Sequence, residues 1–180
     1  MSTVVSMEEL RRDHERLRIG HDFTRAVCHE SDLERLLPKL LDSVFELVGV
    51  NRGAICLMDQ AGELAPRFVK TREPVPEHGM VLSKTIIDEV LEHGDVVVSS
   101  NLHKDKRFSS AHSVIIKNIR AVIAGPLLHQ DEILGIVYAD SQAAAMGAIT
   151  DKDAEVFASM LGQTALRIWQ AMLLARAQRQ

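Results

Sequence analysis

The chain has 180 residues, of which 46% are hydrophobic and 26% are charged, as is usual for a globular domain with a substantial core. Its net charge of -4 argues against a nucleic-acid-binding surface, which is normally basic. No apolar run approaches the roughly 20 residues needed to cross a bilayer, and no secretory signal precedes the first charged residues. We therefore expect a cytoplasmic protein that contacts neither nucleic acid nor membrane.

Two helices are predicted in the first 50 residues. The segment from Met7 to about Cys28 is dense in charged residues and has a loose apolar stripe, which is typical of a solvated helix. The segment from Ser31 to Glu34 has the capping-box pattern, with Ser31 as the cap. The leucines and valines that follow recur every three or four residues as far as Gly49, which is placed to end an amphipathic helix.

Short strands and turns are predicted through the middle of the chain. Residues 52–58 and 63–70 indicate a strand pair, and the prolines and glycine of residues 72–79 indicate a loop. Ser83 is placed to cap a helix that Gly94 closes, and residues 95–98 indicate a short strand. The polar stretch that follows, to residue 118, is predicted to be irregular except for a short helical contact at residues 114–116.

The most hydrophobic part of the chain is predicted to be a hairpin. Two runs rich in β-branched residues, 121–128 and 133–139, flank a polar break at residues 129–132. Neither run alternates apolar and polar residues, so both of its faces should be covered. Gly125, Pro126 and Gly135 within these runs indicate positions of close approach, a bulge or a missing ladder donor.

A long final helix is predicted to begin at a capping box, Thr150 to Asp153. It carries residues in a heptad pattern that is typical of packing against a partner helix: Ala154, Ala158, Leu161, Ala165, Ile168, Met172 and Ala175. No glycine or proline stops this helix before Gln180, so we hypothesise that it continues in a longer polypeptide. The strands that meet in hairpins and the terminal helices together predict an α+β fold.

The residues alone do not support catalysis. The eight histidines lack metal-ligand spacing, and no glycine-rich phosphate loop is present. Ser109, Ser110 and His112, near Asp105, are interpreted as exposed groups of a polar loop rather than a triad. The two cysteines, Cys28 and Cys56, form no CxxC pair, which indicates neither a disulfide framework nor a zinc site. We expect a domain that is not an enzyme and holds no cofactor or metal.

The order and spacing of several short motifs resemble the GAF domains of bacterial signalling proteins, over about residues 31–174. The closest resemblance is to those attached to nucleotide cyclases, sigma-54-dependent activators and forkhead-associated-domain proteins. The motifs that carry it are Asp32–Leu37, Arg52–Leu57, Ser83–Ile86, Asp105–Ser109, Ile119–Arg120, Gly125–Leu128, Leu134–Asp140 and Thr150–Asp153. The resemblance divides the chain into an N-terminal connector, residues 1–30, and a GAF domain, residues 31–180, that ends in a long signalling and dimerisation helix.

The resemblance implies a central six-stranded antiparallel sheet, with the N- and C-terminal helices on one face. On the other face, residues 83–118 would form a helix and loop roof over a ligand pocket. The groups that could bind a ligand there are Asn101, Phe108, Arg120 and Tyr138. Alternatively, Phe108 fills the core, Asn101 caps a turn and Arg120 pairs with an acid such as Asp140. Tentative residues for the dimer helix are Ala158, Leu161, Ala165, Ile168 and Met172.

Some motifs that define GAF subgroups are missing. Asp140-Ser141 stands where cyclic-nucleotide-binding members carry Asn-Lys, and residues 83–118 lack the cysteine that attaches a bilin. We expect a regulatory domain that senses an unidentified small molecule, forms a homodimer and is fused to an output domain. The alternatives are a ligand-free dimerisation module and, less favoured, a thiol-dependent reductase of GAF fold using Cys28 or Cys56.

Overall fold

The computed structural model describes residues 6–72, 81–108, 119–142 and 148–179. These residues form four helices and five strands. In chain order they are α1 (Met7–His29), α2 (Leu33–Leu47), β1 (Arg52–Met58), β2 (Leu64–Thr71), α3 (Lys84–His93), β3 (Val97–Ser99), β4 (Ala121–His129), β5 (Glu132–Ser141) and α4 (Asp151–Gln178). None of the helices in these ranges is long and apolar enough to span a bilayer. The loop at residues 73–79 and the helical contact at residues 114–116 lie outside the described residues.

The strands form one antiparallel sheet in the order β2-β1-β5-β4-β3. Five strands are therefore present in the described part of the chain, where the family resemblance implies six. The predicted hairpin supplies β4 and β5, which lie near the centre of the sheet. Its loop is shorter than the predicted break, because Gln130 and Asp131 alone make the turn, with φ values of 49° and 65°. These positive values are typical of the two-residue turns that match strand twist.

The terminal helices cover one face of the sheet, which we call the helix face. There α2 and α4 pack on Ile55, Ile123 and Val137 to form the larger hydrophobic core. The connector α1 packs against both of these helices and buries Ile19 and Phe23 between them. The arrangement of helices expected from the resemblance is confirmed for this face.

The helix boundaries follow the predicted caps with one correction. Ser83 caps α3, Gly94 closes it in the left-handed conformation, and Thr150 with Asp153 forms a complete capping box at α4. The cap of α2 is Asp32 rather than Ser31, because the Asp32 carboxylate accepts the backbone N–H of Glu34 at 3.0 Å. A carboxylate at this position also interacts favourably with the positive end of the helix.

Candidate ligand face under α3

The opposite face of the sheet, which we call the roof face, is defined by the strand register. Residues paired directly across antiparallel strands share a face. Tyr138 pairs with Ala54 on one side and Ala124 on the other. By the same register, the roof face carries Arg52, Ala54, Cys56, Val97, Ser99, Val122, Ala124, Ile136, Tyr138 and Asp140. The apolar runs of the sequence gave no such assignment, because both faces of these strands are buried.

The described part of the roof closes onto this face with its own side chains. Ile86 and Val90 of α3 are fully buried, as are Val122, Ala124 and Tyr138 beneath them. These residues belong to a second hydrophobic core, separate from the one on the helix face. The sheet therefore separates two cores, and the smaller one lies where the family resemblance implies a pocket.

A buried polar triad lies at the edge of the second core. Asp140, which has no exposed surface, accepts the Arg52 guanidinium through both carboxylate oxygens, from Nε at 2.8 Å and from Nη2 at 2.7 Å. It also accepts the Tyr138 hydroxyl at 2.6 Å. Sequence reasoning named Arg120 as the possible partner of this acid and missed Arg52. The register explains the difference, because Arg52 lies directly opposite Asp140 on β1.

Tyr138, the single tyrosine of the chain, is held in its protonated form. Burial raises the pKa of its phenol far above the usual range, and the charge of Asp140 and the hydrogen bond to it raise the pKa further. The backbone N–H of Ser83, at the start of α3, lowers the pKa by a smaller amount. The hydroxyl thus donates to β5 and faces the first turn of the helix above it.

The other three residues named for ligand binding lie in different environments. Asn101 is exposed, and its side-chain oxygen accepts the backbone N–H of His103 at 3.1 Å. Phe108 is buried in the second core, with the Arg107 guanidinium over its ring. Arg120 is exposed at the start of β4. Tyr138 and Phe108 are therefore brought together by one core, whereas Asn101 and Arg120 lie outside it.

An ion pair holds the chain between β3 and Phe108 in place. Arg107 donates to the Asp105 carboxylate at 2.8 Å and to the Val98 carbonyl at 2.7 Å. The Arg107 hydrogen bond lowers the pKa of Asp105 to about 2. The carboxylate that sequence reasoning grouped with Ser109, Ser110 and His112 is therefore engaged by an arginine, while those three residues lie outside the described ranges.

The predicted dimer seam of α4 is corrected by its packing. Leu161, Ala165 and Ile168 are buried in the core of the helix face, and Met172 packs against it. Of the five residues named, Ala158 alone is exposed. The heptad pattern was interpreted as a contact with a partner helix, but α4 uses it to pack on α1, α2 and β4 of its own chain.

A buried ion pair joins α1 to the start of α4. Arg16 donates from Nε to Asp153 at 2.5 Å, and Arg12 donates to the same carboxylate at 3.2 Å. Although burial acts to raise the pKa of Asp153, the Thr150 backbone N–H and the two arginines lower it overall. A cleft of about 350 Å³ lies beside this pair, between α1 and the end of α2. The cleft is thus on the opposite side of the sheet from the roof face.

Few groups in the described residues could hold a metal or react through a thiol. Glu89, Glu92 and His93 place their ligand atoms within 4.8 Å of one another on α3, but the site is largely exposed and His93 already contacts Glu89. Sequence reasoning considered histidine pairs and did not examine this mixed group. Cys56 is buried, which raises the pKa of its thiol, and Cys28 is exposed on α1.

A family model described as "GAF domain" matches residues 32–168. This range begins just after α1 and runs through most of α4. The chain is also 23% identical, over 192 aligned positions, to the dual 3',5'-cyclic-AMP and -GMP phosphodiesterase 11A of Takifugu rubripes. That alignment covers 99% of this chain and 21% of the relative, so the chain spans about a fifth of the length of that protein.

Solved structures of the same fold include sensory proteins. The GAF domain from a phosphoenolpyruvate-protein phosphotransferase of Coxiella burnetii superposes with a TM-score of 0.70 at 15% identity, covering 91% of this chain and 98% of that one. The chromophore-binding domain of the Stigmatella aurantiaca bacteriophytochrome superposes with a TM-score of 0.66 at 10% identity, covering 85% and 59%. At these identities the superpositions establish the fold.

Proposed function

Because the chain belongs to the GAF domain family, we propose that it is a regulatory sensor domain of a bacterial signalling protein. It binds a small molecule on the roof face and passes the signal through α1 and α4 to an output domain. Proteins of related fold include a phytochrome and a chemotaxis protein, which supports a sensory role. The domain itself is not an enzyme.

The observation that carries this proposal is the second hydrophobic core under α3. It contains apolar side chains around a single polar group, the Tyr138 hydroxyl, which is the composition of many ligand sites. Phe108 lies in the same core, and Asn101 and Arg120 lie at its margin in the proposal. Because the described side chains fill this space, ligand entry requires α3 to move away from the sheet. A ligand would act by stabilising that open arrangement.

A direct mechanical connection to the output helix supports the second half of the proposal. Ala124 faces the roof, and the next residue, Gly125, faces α4. A Cβ atom at Gly125 would lie 2.9 Å from Leu161 and 3.1 Å from Phe157, so α4 rests directly on the backbone of β4. Close-packed interiors transmit displacement. A ligand that displaces β4 on one face therefore moves the contact surface of α4 on the other.

A thermal-shift screen tests ligand binding. Nucleotides, including cyclic AMP and cyclic GMP, and small metabolites are added to the protein, and any compound that raises the unfolding midpoint is tested again on two variants. Ala124→Leu fills the roof face, whereas Gly162→Ala changes an exposed position on α4 with no atom within 4 Å of the added Cβ. The proposal expects the shift to disappear in Ala124→Leu and persist in Gly162→Ala. A shift that survives in both variants, or no shift with any compound, contradicts it.

A second candidate function is a homodimerisation module, favoured by exposed leucines on the outer helices. Leu166 and Leu173 are seven residues apart on α4 and are 43% and 47% exposed, and Leu17 on α1 is 72% exposed. A seven-residue spacing keeps side chains on one side of a helix. These residues replace the buried seam as the proposed contact, together with exposed Ala158. Light scattering tests it, with Leu166→Lys combined with Leu173→Lys expected to convert a dimer to a monomer, and a wild-type monomer at high micromolar concentration contradicting it.

A further inference from the structure

The polar triad links the sheet to the helix that covers it. Tyr138 is in the middle of the roof face, flanked on both neighbouring strands by alanines, Ala54 and Ala124. These small neighbours leave space for the ring to extend along the sheet toward Asp140. Its hydroxyl reaches that carboxylate at 2.6 Å, below the first turn of α3.

The first turn of α3 is buried and faces the same hydroxyl. Ser83, the cap of α3, is 1% exposed, and its side-chain oxygen accepts the backbone N–H of Ile86 at 3.4 Å. Its own backbone N–H faces the Tyr138 oxygen, as the effect on the phenol described above indicates. The rest of the contact between α3 and the sheet is apolar, through Ile86 and Val90. Apolar contacts are non-directional, so they do not by themselves fix the position of the helix end.

Asp140 is suited to fix the hydroxyl in one direction. Arg52 engages both of its oxygens and is mostly buried, with a side chain that is 17% exposed. The carboxylate therefore cannot rotate without breaking a bidentate pair, which is among the stronger polar contacts in proteins. Hydrogen bonds to charged groups contribute more than neutral ones, and a buried charge that loses a donor is costly.

We propose that the Tyr138 hydroxyl is a latch that holds α3 closed on the sheet, and that the ligand face opens when this hydroxyl leaves Asp140. The role of the latch in sensing rests on the proposed function, whereas its existence does not. The ligand that opens it must supply a hydrogen-bond donor to Asp140 in place of the phenol, because otherwise a buried carboxylate loses a partner. This requirement selects an apolar molecule with one hydroxyl or N–H group.

Hydrogen exchange of the ligand-free protein tests the latch. Tyr138→Phe retains the ring and removes the hydroxyl, so the amides of α3 are expected to exchange about ten- to a hundredfold faster, while those of α4 change little. Thr164→Val is the matched control, since it removes a buried hydroxyl on the helix face, where Thr164 Oγ1 donates to Met160 at 2.9 Å. The control should leave α3 exchange unchanged. Unchanged α3 exchange in Tyr138→Phe, or an equal increase in α3 and α4, overturns the proposal.

A second measurement uses the wild-type protein and does not depend on folding of the variant. Absorbance of the single tyrosine is followed as the pH is raised, together with circular dichroism. The latch requires the phenol to ionise only as the protein unfolds. Ionisation near pH ~10 in the folded protein, the value of a free phenol, overturns the proposal. If the latch is observed and the screen finds no ligand, the proposed function fails and the latch stands.

Discussion

The buried ion pair between α1 and α4 allows a quantitative test of how the connector is held. Arg16 is 8% exposed and Asp153 is fully buried, so Arg16→Met retains the apolar stem and leaves a carboxylate without its best-placed cation. Removing one partner of a buried pair costs about 3–5 kcal/mol. Here Arg12 and the Thr150 backbone N–H still reach Asp153. We therefore expect the lower part of the range, a loss of about 2–3 kcal/mol in the free energy of unfolding.

Urea denaturation measures this loss. With an m-value of about 2 kcal/mol per molar, the midpoint should fall by about 1–1.5 M in Arg16→Met. Arg35→Met is the matched control, because the Arg35 side chain is 75% exposed and lies 4.0 Å from Asp32. It should change stability by less than about 0.5 kcal/mol. A change in Arg16→Met as small as that of the control would refute the conclusion that this pair ties the connector to α4.

Three further predictions concern single positions. Gly162→Ala should stabilise the protein by about 0.5–1 kcal/mol in a thermal melt, because the added methyl meets no atom within 4 Å and the helix gains propensity. Gly135→Ala should destabilise it by about 3 kcal/mol or more, since its Cβ would collide with the backbone oxygen of Cys56. Acid titration should show a loss of about 1 kcal/mol as the pH falls from about 4 through about 2, absent in Asp105→Asn. The sign follows from the pKa of Asp105, which Arg107 lowers to about 2 in the folded state, so its stabilisation is present above the unfolded pKa and is lost on protonation.

The elements with local signals could be predicted from the sequence. The capping box at Thr150 and Asp153, the cap at Ser83 and the closing Gly94 depend on interactions within one turn, and all three are observed. The hairpin was placed correctly for the same reason. The wrong choice of Ser31 over Asp32 as a cap reflects two adjacent residues that can both accept a backbone N–H.

The parts that depend on tertiary packing could not be predicted. A heptad pattern indicates that a helix buries one stripe but does not identify what covers it, and α4 buries Leu161 and Ile168 in its own domain. Likewise, the register that pairs Arg52 with Asp140 joins residues 88 positions apart. The sequence contains both charges, but their pairing is fixed by how β1 docks beside β5.

Methyl NMR of the protein with a compound from the thermal-shift screen tests the central claim most directly. The account predicts that the largest shift changes fall on roof-face methyl groups, such as those of Val122, Ala124 and Ile136, with a smaller change at Leu161 where α4 rests on β4. Changes confined to methyl groups beside the cleft at the α1 and α2 junction, such as that of Ile19, would contradict a ligand site under α3.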